Sequence, residues 1–109
     1  MNRASRLLWL VLLAAFVAPT AAWAQSYPNR PVRLVVPFPA GGPADALGRV
    51  LADQLNKTWG QPVIVENRGG AGGNIGFGFV ARARADGYTL LLAPNSFTVN
   101  PSLYEKAPY

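Results

Sequence analysis

Two glycine-rich loops hold most of the chemistry available to this 109-residue sequence. The first, Pro37-Phe38-Pro39-Ala40-Gly41-Gly42-Pro43, runs directly into Ala44-Asp45 and a helical pattern. A glycine loop that opens a helix leaves backbone N–H groups unpaired beside a positive dipole end. That is a ready seat for a carboxylate or another anion. Ala40, Gly41, Gly42 and Ala44 can present such donors, whereas Pro43 has no N–H to give. Phe38 stands at the loop mouth, where its ring either covers the apolar part of a ligand or closes the core at the strand end. Asp45 falls in the first helical turn, where a carboxylate suits the dipole but repels an anionic ligand. Its expected work is to cap local N–H groups or bridge the loops, with contact to a ligand ammonium as the alternative.

The second loop, R-G-G-A-G-G-N-I-G over residues 68–76, forms a second mouth after the next strand. Its glycines run Gly70-x-Gly72-x-x-x-Gly76, one residue off the dinucleotide spacing, and no acid follows about 20 positions on to take a ribose. A small secreted enzyme or nucleotide-binding domain built on these loops is the alternative reading. Asn74 either caps the following helix, its expected role, or turns its amide toward a ligand oxygen. The sequence contains no histidine and no cysteine, which excludes Ser-His and Cys-His nucleophiles and the usual zinc sets. Asp45, Asp53, Glu66, Asp86 and Glu105 show no paired spacing, and Ser96 has no evident base. The residues describe a binding module without a cofactor, a metal or a catalytic set.

The elements that position these loops follow from the apolar pattern. After an extended lead-in over Tyr27–Pro31, the run Val32–Val36 suits a strand buried on both faces. Ala44–Thr58 reads as a helix, with Leu47, Val50, Leu51, Leu55 and Trp59 forming one apolar stripe. Pro43 suits its first position and Gly60 its end. Gly48 is its weak point, by about 1 kcal/mol, unless something packs close to it. A second strand is expected over Val63–Glu66 and a helix over Ile75–Ala85. Asp86-Gly87 is expected to turn the chain into a third buried strand over Tyr88–Ala93. Pro94-Asn95-Ser96 reads as a loop, Asn100-Pro101 as a turn, and Ser102–Lys106 as one helical turn. Alternating strands and helices make an α/β parallel sheet, in which ligands sit outside the carboxyl ends of the strands. The loops at Pro37–Pro43, Asn67–Asn74 and Pro94–Phe97 should then share one side.

Residues 1–24 read as an address. Arg3 and Arg6 precede the apolar run Leu7–Ala18, and Ala22-Trp23-Ala24 supplies small residues for a cut after Ala24. That run is shorter than the ~20 residues of a membrane span, so the mature chain, from Gln25, is expected to be periplasmic and not membrane-embedded. Removing Arg3 and Arg6 takes ten basic residues to eight against five acidic, so the net charge falls from +5 to +3. The remaining Lys and Arg are scattered singly, without the interleaved aromatics of a nucleic-acid surface. A mild positive field favours an anionic ligand.

The blocks Y-P-N-R-P-V-R-L-V-V-P-F-P-A-G-G-P-A-D at 27–45 and G-Q-P-V-I-V-E-N-R-G-G-A-G-G-N-I-G at 60–76 resemble one family. D-G-Y-T-L-L-L at 86–92 and N-P-S-L-Y at 100–104 continue the match. This is the Bug-type extracytoplasmic solute receptors, the substrate-binding subunits of tripartite tricarboxylate transporters. The resemblance implies a periplasmic-binding-protein type II lobe, one of two that trap a small carboxylate, an organic acid or amino acid, for delivery to membrane subunits. It implies a ligand wall of Phe38, Gly41, Gly42, Asp45, Gly73, Asn74 and Ser96. Phe77-Gly78-Phe79 departs from the small or polar residues usual there. Two-lobed receptors run to roughly 300 residues. The expectation is therefore that residues 25–109 form the N-terminal part of the first lobe and, alone, bind a carboxylate weakly or not at all.

Overall fold

The structure, a computed structural model, describes residues 26–109; the expected signal segment, residues 1–24, lies outside the described residues. Three strands, β1 (Val32–Val36), β2 (Val63–Asn67) and β3 (Thr89–Leu91), form a parallel sheet in the order β2-β1-β3. Val32 pairs with Val63 and Arg33 with both Ile64 and Thr89, which fixes the register from the first row onward. The helices are α1 (Pro43–Trp59), α2 (Asn74–Ala81) and α3 (Ser96–Leu103), with a single 3-10 turn at Ala71–Gly73 before α2. The α/β parallel architecture is thus the one the alternating pattern implies.

β1 is central because its residues tolerate burial on both faces: Val32, Leu34, Val35 and Val36 are buried, and only Arg33 reaches solvent. Side chains alternate along a strand, so Val32, Leu34 and Val36 face α1 while Arg33 and Val35 face α2. On the α1 side, Val32, Leu34, Val63 and Ala52 make the core, flanked by Leu55, Trp59, Val65, Leu90 and Leu92. On the α2 side, fully buried Phe77 meets Phe97 and Tyr109 edge-on at 5.2 and 5.1 Å, and those two rings stack at 4.7 Å. The Phe77-Gly78-Phe79 segment is therefore compatible with a helix, because its first ring becomes core.

The face α1 buries differs from the expected stripe. Asp45, Gly48 and Ala52 are buried, with Leu55 and Trp59 half-buried, while Leu47 and Val50 are 59% and 63% exposed and Leu51 is also exposed. At 100° per residue the buried stripe, which keeps Leu55 and Trp59, is turned by roughly a quarter of a turn from the apolar one. Gly48 explains the rotation: a Cβ there would stand 2.7 Å from Val36 Cγ2, so the glycine lets the helix lie directly on β1. The N- and C-terminal limits agree with the sequence signals, with Pro43 in the first turn and Gly60 left-handed, its N–H donating to the Asn56 carbonyl.

Three other expectations are corrected. α2 stops at Ala81, not Ala85, and Arg82 and Ala83 donate their N–H groups to Gly78 and Val80 as the helix unwinds. The chain then uses 82–87 to reach β3, with Asp86 Oδ1 accepting the Tyr88 N–H across the turn. β3 is shorter than Tyr88–Ala93 and only half-buried, because it lies at a sheet edge with a neighbour on one side. Finally, Asn100-Pro101 is not a turn and Ser102–Lys106 is not a separate helical turn, since α3 runs through Pro101. Proline cannot donate to the Phe97 carbonyl four residues back, but the Tyr109 hydroxyl does so at 2.8 Å. That substitute donor allows the helix to continue.

Replacing Gly48 by alanine tests the rotation. An exposed helix interior would gain about 1 kcal/mol from this change, but a Cβ pressed on the buried Val36 side chain should instead destabilise by about 1–3 kcal/mol. Leu47→Gln, on the exposed side, should change stability by less than about 0.5 kcal/mol. Urea unfolding of the two variants measures both, and a costly Leu47→Gln beside a neutral Gly48→Ala would restore the expected stripe.

Candidate functional site

Each strand of a parallel βα unit delivers the next helix at its carboxyl end. The starts of α1, α2 and α3 therefore share one edge of the sheet, so three positive dipole ends and their unpaired amides lie along it. The loop after β1 bounds an open concavity of about 600 Å³ lined by Phe38 to Ala44. Phe38 is half-buried on its wall, leaving part of the ring toward the opening. Gly42 is the residue before α1, with extended backbone and no side chain to cap the helix. Among the described residues, the N–H groups of Ala40, Gly42 and Ala44 meet no acceptor. The Gly41 N–H is different: it donates to Asp45 Oδ2 at 2.9 Å.

Asp45 is the electrostatic centre of this loop, 4% exposed. Its Oδ2 accepts from the Gly41 N–H and from Arg49 Nε, each at 2.9 Å, and its Oδ1 accepts from Asn67 Nδ2 at 3.0 Å. Asn67 also donates to the Phe38 carbonyl at 3.1 Å. One carboxylate and one amide thus tie the first loop, α1 and the end of β2 together. Arg49 foremost, then the Gly41 N–H and the Asn67 amide, hold the Asp45 pKa at about 2 instead of 3.8, against the opposing effect of burial. The bridge between loops anticipated for Asp45 is present. Asn67 was missed at the sequence level; its place as the last residue of β2, before a glycine loop, was the available signal.

The second loop makes a separate cluster. Gly73 is left-handed with φ +99, and a Cβ on it would stand 2.7 Å from the Phe77 ring, so a side chain fits neither the backbone nor the space. Asn74 is buried but does not cap α2. It is the first helical residue, the preceding position is Gly73, and no side-chain cap is made. Its Oδ1 instead accepts from Asn100 Nδ2 at 2.8 Å, and the same Asn100 amide reaches the Gly72 carbonyl at 3.0 Å. Asn100, read from the sequence only as a turn residue, joins α3 to the second loop. Ser96 starts α3 instead of lying in a loop, and its buried Oγ has no hydrogen-bond partner among the described residues. Phe38, Gly41, Gly42 and Asp45 thus form one group, and Gly73, Asn74 and Ser96 are gathered by α2 and α3. Among the described residues the structure does not bring the two groups into one cavity, but α2 packs on the base of the first loop, since a Cβ on Gly76 would lie 2.8 Å from Pro37 Cβ and 2.9 Å from the Arg68 carbonyl.

The Asp45 ties set an acid dependence of stability. Because the folded pKa lies below the unfolded one, the stabilisation is present above about pH 4 and is lost as pH falls toward 2. Urea midpoints followed from pH 7 to pH 2 should decline in that window. Asp45→Asn should lower the midpoint at pH 7 and flatten the decline; an unchanged acid profile would rule out Asp45 as its source.

Comparison with known proteins places this geometry. A family model described as the tripartite tricarboxylate transporter family receptor matches residues 47–109. The chain is 48% identical over 101 residues to Protein BugT of Bordetella pertussis, covering 91% of this chain and 30% of BugT. The chain therefore spans under a third of the length of that relative. Among solved structures, the periplasmic binding protein BugD superposes with a TM-score of 0.74 at 54% identity, over 76% of this chain and 28% of BugD. MatC of Rhodopseudomonas palustris, with bound malate, superposes with a TM-score of 0.57 at 46% identity, over 60% of this chain and 22% of MatC. With a family model covering more than half of its residues, and a fold that superposes on that of a Bug-type binding protein at 54% identity, this chain belongs to the receptor family of the tripartite tricarboxylate transporters.

Proposed function

We propose that residues 25–109 form the N-terminal part of the first lobe of a periplasmic solute receptor and supply one wall of its site for a small carboxylate. The convergence of three helix starts on one sheet edge carries this reading. It offers dipoles and free amides to an anion where parallel sheets bind ligands. In this reading the Gly42 and Ala44 amides and the Ser96 hydroxyl donate to carboxylate oxygens, while Phe38 covers the carbon skeleton. Gly41, Asp45, Gly73 and Asn74 hold the wall's shape. A small organic acid of the malate kind, as bound by MatC, or an amino acid fits such a wall. The segment 1–24 exports the chain and is cut after Ala24, and the loaded receptor hands its ligand to the membrane subunits of a tripartite tricarboxylate transporter. The reading is a binding function and not an enzymatic one.

One wall buries too little of a ligand to hold it tightly, because binding must overcome the loss of translational and rotational freedom. Calorimetric titration of the full chain with malate should therefore give a dissociation constant of about 1 mM or weaker. Grafting residues 26–109 in place of the matching segment of MatC should restore micromolar-range binding, about a thousandfold tighter. Tight binding by the chain alone, or a folded graft that binds no carboxylate, would overturn the assignment.

Ser96 separates a ligand role from a structural one. Its buried hydroxyl lacks a partner, so Ser96→Ala should leave thermal stability unchanged or raise it slightly. In the graft the same change should weaken carboxylate binding by about tenfold, the loss expected for one hydrogen bond to a charged group. A destabilised variant with undiminished affinity would remove Ser96 from the site.

A further inference from the structure

The sheet face turned toward α2 is only partly covered. α2 begins over the carboxyl ends of β1 and β2 and stops at Ala81, so Arg33, Ile64, Glu66 and Thr89 remain as the floor of an open cleft of about 670 Å³. Val32 and Thr89 begin their strands, so the cleft opens at the amino ends of β1 and β3 and runs along β2 as far as Glu66, beside the start of the second loop.

Charge is concentrated there. Beyond Arg3 and Arg6, the chain has eight basic and five acidic side chains. Arg30, Arg33, Arg82 and Arg84 line the cleft with Glu66 and Asp86, and Arg68 borders it, since it shares Glu66 with Arg33. Elsewhere Arg49 pairs with Asp45, Lys57 pairs with Asp53, and Lys106 follows Glu105 in the chain. The entire excess of +3 therefore lies at this one surface.

The surface is also preorganised. All five cations are arginines, whose planar guanidinium groups match carboxylates in a bidentate fork and stack on rings. Arg30 lies 4.0 Å over the Tyr88 ring and 2.9 Å from Asp86. Arg68 lies 3.6 Å over the Phe79 ring. Arg82 and Arg84 have no acidic partner among the described residues and are exposed.

We propose that this cleft docks an acidic segment of a partner protein, an extended stretch with carboxylates spaced along it. Glu66 and Asp86 stand between the guanidinium groups, so a compact anion at the centre would face them. An extended chain can instead set its carboxylates against Arg82 and Arg84 and cross the exposed Ile64 and the Phe79 ring. Arginine with aromatic and aliphatic neighbours is also the composition of protein interfaces. A second copy of this chain offers no acidic surplus, and residues 1–25 contain no acid at all. Binding here shares no residue with the concavity bounded by Phe38 to Ala44.

Fluorescence anisotropy of a labelled peptide of alternating Glu and Ala, titrated with the full chain at low ionic strength, tests this. Saturable binding is expected, with no binding of the matching Lys-Ala peptide. R82E/R84E should weaken it at least about tenfold, and R84E alone, beyond the end of α2, should give part of that loss. Raising salt from about 0.05 to about 0.5 M should have a similar effect. Circular dichroism and Tm of both variants should match those of the parent. An absent or variant-insensitive interaction would overturn the proposal. So would tighter association with anionic phospholipid vesicles or inorganic phosphate than with the peptide.

Discussion

The Asp45 carboxylate holds three parts of the chain at one point. Gly41 belongs to the first loop, Arg49 to the next turn of α1, and Asn67 to the end of β2, and each donates to it. A buried carboxylate with several donors is stable only as an anion, and each donor it lacks would leave a desolvated charge. The ties therefore fix the loop relative to the sheet and set how α1 is turned about its axis. With Asp45 pinned inward, Gly48 and Ala52 follow one and two turns later onto the sheet, and Leu47 and Val50 are carried outward.

The same anion shapes the site by subtraction. It takes up the Gly41 amide and turns the loop so that the amides of Gly42 and Ala44 remain free at the helix start. A carboxylate already satisfied by Arg49 and two neutral donors presents little uncompensated negative charge to an incoming anion. On the other side of the edge, Asn100 does comparable work with a neutral amide, joining Gly72 and Asn74 to α3. The loop edge is thus held by polar ties, while Arg30, Arg33, Arg82 and Arg84 line the cleft left open beyond α2.

The three strands, α1, α2 and their order were legible because they depend on local signals. Val32–Val36 reads as a buried strand from its own residues, Pro43 and Gly60 mark the limits of α1, and glycine loops after β1 and β2 expose amides wherever the strands lie. The four sequence blocks of the receptor family led to the same architecture. A signal segment before Gln25 rests on sequence pattern alone.

What tertiary structure decided was which face, which partner and how far. The apolar stripe of α1 did not choose its buried face, because the close approach permitted by Gly48 and the Asp45 ties outweighed it. Asn74 accepts from Asn100, 26 positions away, instead of capping α2, and no local rule contains that distance. Pro101 stays inside a helix, and Tyr109 folds back to give the Phe97 carbonyl the donor that proline lacks. Local signals placed the three strands, the starts of α1 and α2 and the two glycine loops, since backbone preference and periodicity are properties of neighbours. Helix rotation, hydrogen-bond partners and the gathering of scattered arginines into one cleft were settled by packing, which brings distant residues together.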